Sequence, residues 1–362
     1  MTPYYTALSF INIVTLVMFI IAIVSNNVIN HHQRSYFLMA CIVSFTIVVL
    51  EIVSILVDGA PVKWRWLHLT VSFIGFSILP LVFYSLGKAL LPYNNKRMDY
   101  FLIVWGVYVG WILFTTLSGN GKGIYYVDAE NNYSRGSGFF VHIIFYSFSL
   151  VMFVIENVII SIRFWRNRNI VLYINFFFIL IGTSVQVFYP DIQVVWVCVI
   201  IGIIMYYIYF DDLYQQLDEE TYLMNYNSFQ KWRRHQKEEV VIVVAEIDNF
   251  AKMKLSYDRE KIHEIVKEIS IMFHDYYKKY GRCYRIGSEE FCVTIRDTKL
   301  NFDELNKQFF IDLVKHNFET ADMPLVSLGY ASLSPKESLN NALTLADSKK
   351  RVFIKDRISY LY

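Results

Sequence analysis

Apolar positions are unevenly spread along the chain. Up to about residue 210 they form long runs, at 4–29, 36–57, 67–90, 100–117, 139–161, 170–189 and 192–210, separated by short polar stretches. Each run is near the ~20 residues that a helix needs to cross a bilayer. The pattern predicts seven spans, a multi-pass α-helical membrane domain over residues 1–210. From Asp211 the pattern changes. Charge rises over residues 211–234, where Leu213, Leu217, Leu223 and Phe229 form a broken apolar stripe, as in a helical connector able to pair with a partner copy. Residues 240–247 are then a continuous β-branched run of buried-strand character. Ile262, Ile265, Val266, Ile269, Phe273 and Tyr276 recur at helical spacing within 258–280. Strand-like runs at 281–286 and 291–295 predict a β-hairpin. Helices near 302–318 and 335–351, a strand at 325–331 and a last strand at 358–361 complete an alternation that implies an α/β sandwich.

Composition supports this division. Of 362 residues, 55% are hydrophobic and 18% charged, more apolar surface than one soluble core can hide. A net charge of +2, with no basic stripe interleaved with aromatics, gives no reason to expect nucleic acid as a partner. Cys41 and Cys198 fall in apolar runs while Cys283 and Cys292 flank the hairpin, so neither a disulfide nor a zinc site is expected. The first run has no basic flank and no small-residue cleavage site, and reads as an anchor. Arg34, Lys96, Arg97, Arg163, Arg166 and Arg168 occupy the odd-numbered loops, against Lys63, Arg65, Lys122 and Arg135 in the even ones. The positive-inside rule then puts the N-terminus outside and the C-terminal region in the cytoplasm.

Within the spans, Glu51, Glu156 and Gln186 are polar groups at depths where a bare charge is costly. They are sensor candidates, or else interhelical hydrogen-bonding groups. The long fourth loop, residues 118–138, is suited to covering a binding site, and Pro80 and Pro190 are expected kinks. Residues 138–210 resemble the seven-helix sensor region found ahead of some bacterial histidine kinases. No inverted half-repeat of the kind that marks a carrier is visible, which favours a receptor over a transporter with a regulatory tail.

The stretch Arg285-Ile286-Gly287-Ser288-Glu289-Glu290-Phe291 sits at the hairpin tip. Two adjacent carboxylates there are either a solvated acidic turn or a site for Mg²⁺ carrying nucleotide phosphates. Glu246, at the end of the first strand, is placed to share a metal pair with Glu289 across neighbouring strands, the arrangement used for displacement at phosphorus.

From Asp218 onward the chain resembles the GGDEF domain of bacterial diguanylate cyclases. Asp218, Thr221, Leu223, Asn225 and Phe229 match the opening D-x-L-T-G-L-x-N-R-x-x-F. Glu246-Ile-Asp248-Asn-Phe250 is similar to D-x-D-x-F, the 285–291 stretch stands where the signature belongs, Val326-Ser-Leu-Gly329-Tyr-Ala331 matches V-S-x-G-x-A, and Ala346-Asp347 matches the A-D of the last helix. The resemblance implies two Mg²⁺ ions held by Glu246, the Ile247 backbone carbonyl and Glu289. Glu289 and Glu290 are then the catalytic carboxylates, Gly287 and Ser288 lie against the phosphates, and two domains face each other as a homodimer, each with one GTP. Lys254 and His263 stand where the family reads guanine, and Lys355 near its phosphate-binding lysine, whose strict register falls on Ile354.

The departures weaken the case for catalysis. Ser288 replaces a glycine whose backbone approaches phosphate and needs freedom at φ. A lysine offers donors but no acceptor to a base. The product-feedback motif would fall on Lys278 and Gly281 and is expected to be absent. The sequence thus reads as a bacterial cytoplasmic-membrane signalling protein: seven spans, a connector at 211–234 and a degenerate GGDEF domain at 235–362, acting through a protein partner. The alternative is an active membrane diguanylate cyclase making cyclic di-GMP from two GTP.

Overall fold

In the computed structural model the described residues are 3–26, 31–89, 96–119, 121–163, 170–189, 194–320 and 324–356. They fall into two units, Met1–Asp212 and Leu213–Tyr362.

The first unit is helical: α1 (Pro3–Ser25), α2 (His31–Val57), a 3-10 turn at Val62–Trp64, α3 (Arg65–Ile78), α4 (Leu81–Ala89), α5 (Lys96–Ser118), α6 (Phe139–Arg163), α7 (Ile170–Phe188) and α8 (Val195–Tyr214). Helices satisfy their own backbone polar groups, which is what a hydrocarbon solvent demands. Phe10, Met18, Val107 and Phe114 project outward, as lipid-facing side chains do. Six segments among the described residues are long and apolar enough to cross a membrane. The expected sixth span is α7, of which the stretch Phe176–Val185 counts as a shorter apolar helix among the described residues. The expected span at 67–90 is broken between α3 and α4, where Pro80 has no N–H to continue the ladder. Pro190, Arg166 and Arg168, and the side chains of Lys96, Arg97, Arg163 and Gln186, lie outside the described residues, as does the expected strand at 358–361.

Between α5 and α6 the fourth loop folds into a small antiparallel hairpin, β1 (Tyr125–Val127) and β2 (Tyr133–Arg135). It is tied to the ends of α2 and α3. Arg65 donates to the carbonyls of Asp128 (2.7 Å) and Val127 (2.9 Å), Asn131 Nδ2 to that of Val57 (2.6 Å), and Tyr133 N to Asp58 Oδ1 (2.7 Å).

The second unit is a four-stranded antiparallel sheet in the order β4 (Gly281–Arg285), β5 (Glu290–Ile295), β3 (Val240–Ile247), β6 (Val326–Leu333). Around it lie α9 (Tyr226–Arg234), α10 (Phe250–Ser256), α11 (Arg259–Tyr277), α12 (Phe302–Thr320) and α13 (Leu339–Asp356). Strand β3 is apolar throughout because both its faces are covered. Val241, Val243 and Ala245 join a core with Val266, Phe273 and Phe310, while Val240, Ile242 and Val244 meet Phe229, Ala342 and Ala346. The α11 stripe is buried as its spacing requires, and Asp258 caps the helix by accepting from Lys261 N at 2.8 Å.

The stretch expected to be a connector helix folds differently. Helix α8 stops at Tyr214, and Tyr222 adopts the left-handed region at φ 56°, which a continuing helix does not allow. Asn225 Nδ2 donates to the carbonyls of Gln215 and Leu217, and its Oδ1 caps α9 at Ser228 N. Leu217, Leu223 and Phe229 are buried in this way, so the stripe closes the domain and does not form a free pairing face.

Candidate functional site

Strand register sets the site. Glu246, at the end of β3, lies directly opposite Glu290, the first residue of β5. Residues opposed across an antiparallel pair share a face, and like charges there repel. Lys350 of α13 meets this pair: its Nζ donates to Glu246 Oε2 at 2.6 Å and to Glu290 Oε1 at 3.4 Å, and lies 2.7 Å from Asp347 Oδ1. The lysine is 5% exposed. Its position depends on Gly329 in β6, where a Cβ would stand 2.0 Å from the Ala346 carbonyl oxygen and 2.8 Å from Lys350 Cγ. Burial opposes the charge on Lys350, but bonds to Asp347 and Glu246 outweigh it and raise its pKa. The Glu290 carboxyl is pushed up, by burial first and by Glu246 and Asp347 behind it, against the pull of Lys350.

A second cluster fixes the tip. Arg285 donates from Nε to the Gly287 carbonyl (3.1 Å) and from Nη2 to that of Ser288 (2.7 Å). Its Nη1 reaches Asp218 Oδ1 (2.9 Å) and Glu220 Oε2. Glu220 in turn meets His263 Nδ1 at 3.0 Å. Burial works against ionisation of Asp218, yet the hydrogen bond and charge of Arg285 and two bonds from Thr221 hold its carboxyl below the usual range. At Gly287 a Cβ would sit 3.1 Å from Glu290 Oε2, so a close approach requires the glycine there. Neither Gly287 nor Ser288 is among the residues at positive φ. The strain expected for Ser288 is therefore absent, and its hydroxyl donates to the Glu289 carboxylate instead.

A short β–turn–β carrying paired carboxylates, set against a glycine-bearing strand and a helix that opens on Ala346-Asp347, is matched by a family model. The model is described as "Diguanylate cyclase, GGDEF domain", and it covers residues 215–351. Residues 215–351 form a GGDEF domain. That domain ties the protein to cyclic di-GMP signalling. No curated protein matches the sequence. Similar solved structures include the GGDEF domain of FimX from Pseudomonas aeruginosa, 11% identical over 39% of this chain and 94% of that one, TM-score 0.33. Another is the GGDEF domain of DgcB from Caulobacter crescentus in complex with c-di-GMP, 16% identical over 39% and 90%, TM-score 0.33. A third is the active GGEEF domain of a diguanylate cyclase from Vibrio cholerae, 19% identical over 37% and 85%, TM-score 0.29.

Within the GGDEF domain the expected site residues separate. Register pairs Glu246 with Glu290, whereas the Glu289 carbonyl accepts from Ile247 N at 3.0 Å and its carboxylate accepts from Ser288. Among the described residues no three His, Cys, Asp or Glu side chains come together as a metal-ligand group. Lys254 is exposed, its Nζ 4.5 Å from the Phe250 ring centroid; His263 is paired with Glu220; Lys355 is exposed in the last turn of α13. The residue that the sequence reading missed is Lys350. The available signal was its place on the helix face of Ala342 and Ala346, a buried stripe where a lysine is out of character unless it has partners. All four cysteines are free and buried.

In the membrane unit, Glu51 lines a cavity of about 340 Å³. Tyr133 and Arg135, from the fourth loop, line it too, so that loop covers a cavity as expected. Glu156 is buried in α6 and is not part of the lining.

Proposed function

We propose that this is a receptor-like signalling protein of the bacterial cytoplasmic membrane whose GGDEF domain regulates a partner and does not synthesise cyclic di-GMP. The observation that carries this reading is Lys350, a buried ammonium group held against Glu246, Glu290 and Asp347. Mg²⁺ is held through carboxylate oxygens. An ion using Glu246 has to displace an ammonium already 2.6 Å from that carboxylate, and two cations at such separations repel strongly. The donor set therefore does not fit the metal pair expected from the family, and no reaction step is derived through one. His263 further supports the reading, since its Nδ1 is committed to Glu220 at a position where the family reads guanine.

On this account the N-terminus is outside, the GGDEF domain is cytoplasmic, and two copies pair through their GGDEF domains to present a surface to a protein partner. The test is turnover. Full-length protein in detergent, folded by its thermal transition, is incubated with GTP and Mg²⁺ or Mn²⁺, and cyclic di-GMP is sought by chromatography. No product is expected. Product that disappears in Glu290→Gln would overturn the proposal and make the protein a cyclase.

A further inference from the structure

The cavity in the first unit has the size of a small-molecule site, since such sites span about 300–1,000 Å³. Its walls come from α2, α3, α6, α7 and α8, with β2 contributing Tyr133 and Arg135. Aromatic rings dominate one part: Phe76, Phe139, Tyr146 and Trp196. The polar groups come mainly from α2 and α3.

Glu51 precedes the end of α2 by six residues, about 9 Å at 1.5 Å per residue, and accepts a hydrogen bond from Trp196. Asp58 also lines the space, though its Oδ1 already accepts from Tyr133 N. His68 and Ser72 lie one turn apart on α3 and both are buried.

The hydrogen-bond roles in this wall can be assigned. Asn131 Nδ2 donates to the carbonyls of Val57 and Ala60, which leaves its Oδ1 as an acceptor. His68 Nδ1, 3.1 Å from that oxygen, must therefore carry the proton. In a neutral ring Nε2 is then a bare acceptor. It is fully buried with no partner, and so is the Ser72 hydroxyl. Buried polar groups in folded proteins are almost always satisfied, so the wall calls for a donor. Glu51, Asp58 and His68 Nε2 all accept. The arginine of the lining, Arg135, is exposed and stacks 4.6 Å from the Phe139 ring centroid. Acceptors next to aromatic faces favour a cation, which carboxylates attract by charge and rings by their quadrupole.

We infer that this cavity binds a small organic ammonium, a primary or secondary amine with an apolar or aryl body, its N–H groups shared between Glu51 and His68 Nε2. A quaternary ammonium has no N–H to donate, and a carboxylate would face Glu51. This site is independent of whether the GGDEF domain is catalytic.

Gly75 provides a clean block. It lines the cavity, and a Cβ built there meets nothing within 4 Å. Gly75→Leu therefore projects into the open space, and the exchange favours the helix.

The experiment is a calorimetric titration of full-length protein in detergent with 2-phenylethylamine, and with 3-phenylpropionate as the anionic counterpart. The amine should bind saturably and the carboxylate should not. Glu51→Gln should weaken the amine on the order of 30-fold or more, and Gly75→Leu should abolish binding while keeping its thermal transition. Absence of saturable amine binding to folded wild-type protein would overturn the inference. So would equal binding of phenylpropionate, or amine binding unchanged in Gly75→Leu. Should Glu51→Gln fail to fold, the glycine variant and the anion comparison decide.

Discussion

Two clusters of charge flank the signature hairpin, and they use their cations differently. Arg285 spreads four contacts over two backbone carbonyls and two carboxylates. A rigid fork suits this, because guanidinium donors have fixed directions that match carboxylates and carbonyls. The result is a braced loop. Lys350 instead presents one compact ammonium to three carboxylates from two strands and its own helix. It fixes no loop, and acts as a counter-charge at the point where the family resemblance calls for metal. The contrast shows how a fold can keep the framework of an active site while an internal cation takes over its charge balance.

The largest effect is expected from Lys350→Met. Removing one partner of a buried charged group leaves the others uncompensated, at about 3–5 kcal/mol; with Glu246 43% exposed, solvent screening brings this to the lower end, about 3 kcal/mol. Denaturant unfolding at neutral pH checks this, and much of the loss should vanish at low pH, where Glu246 and Glu290 are neutral. Arg285→Ala should cost about 2–3 kcal/mol. Arg285→Lys should recover only a minor part, since lysine cannot serve carbonyls and carboxylates together. Equal stability of the lysine variant and wild type would remove the fork from the comparison.

A smaller effect separates the clusters by pH. The Asp218 carboxyl is held low, so its contribution is present above the ordinary aspartate value of about 3.9 and is lost as pH falls through its lower folded value. Asp218→Asn should flatten the acid limb of the stability curve. Glu290 has the opposite sign. Its raised pKa gives stability that is full below the ordinary glutamate value of about 4.3 and is lost as pH rises through the higher folded value. Glu290→Gln should therefore remove a decline on the rising side, by about 1 kcal/mol or less. Both curves are read from unfolding midpoints across pH.

Much of the domain was legible because its signals are local. The β-branched run of β3, the spacing within α11 and the turn at Gly287 each state their structure within a few residues. The apolar runs of the first unit were legible for the same reason, although Pro80 divides one of them. The connector was misread because its apolar stripe does suit a helix. What ends the helix is backbone at Tyr222 and the side-chain bonds of Asn225, neither of which periodicity reports. A charge such as Leu217→Lys now reads as an insult to a buried position, not to a pairing face. The site itself was legible in part. Glu246 and the hairpin tip were found, but Lys350 lies 104 residues from Glu246 and 60 from Glu290, and only register and the Gly329 contact bring them together.

The most direct test of the central claim is the response of thermal unfolding to Mn²⁺ in wild-type protein and in Lys350→Met. The account predicts no saturable shift in the wild type, and in the variant a lowered midpoint that Mn²⁺ restores as it takes the place of the ammonium. A saturable Mn²⁺ shift in the wild type that Glu246→Gln abolishes would contradict it, because the carboxylates would then hold metal with Lys350 present.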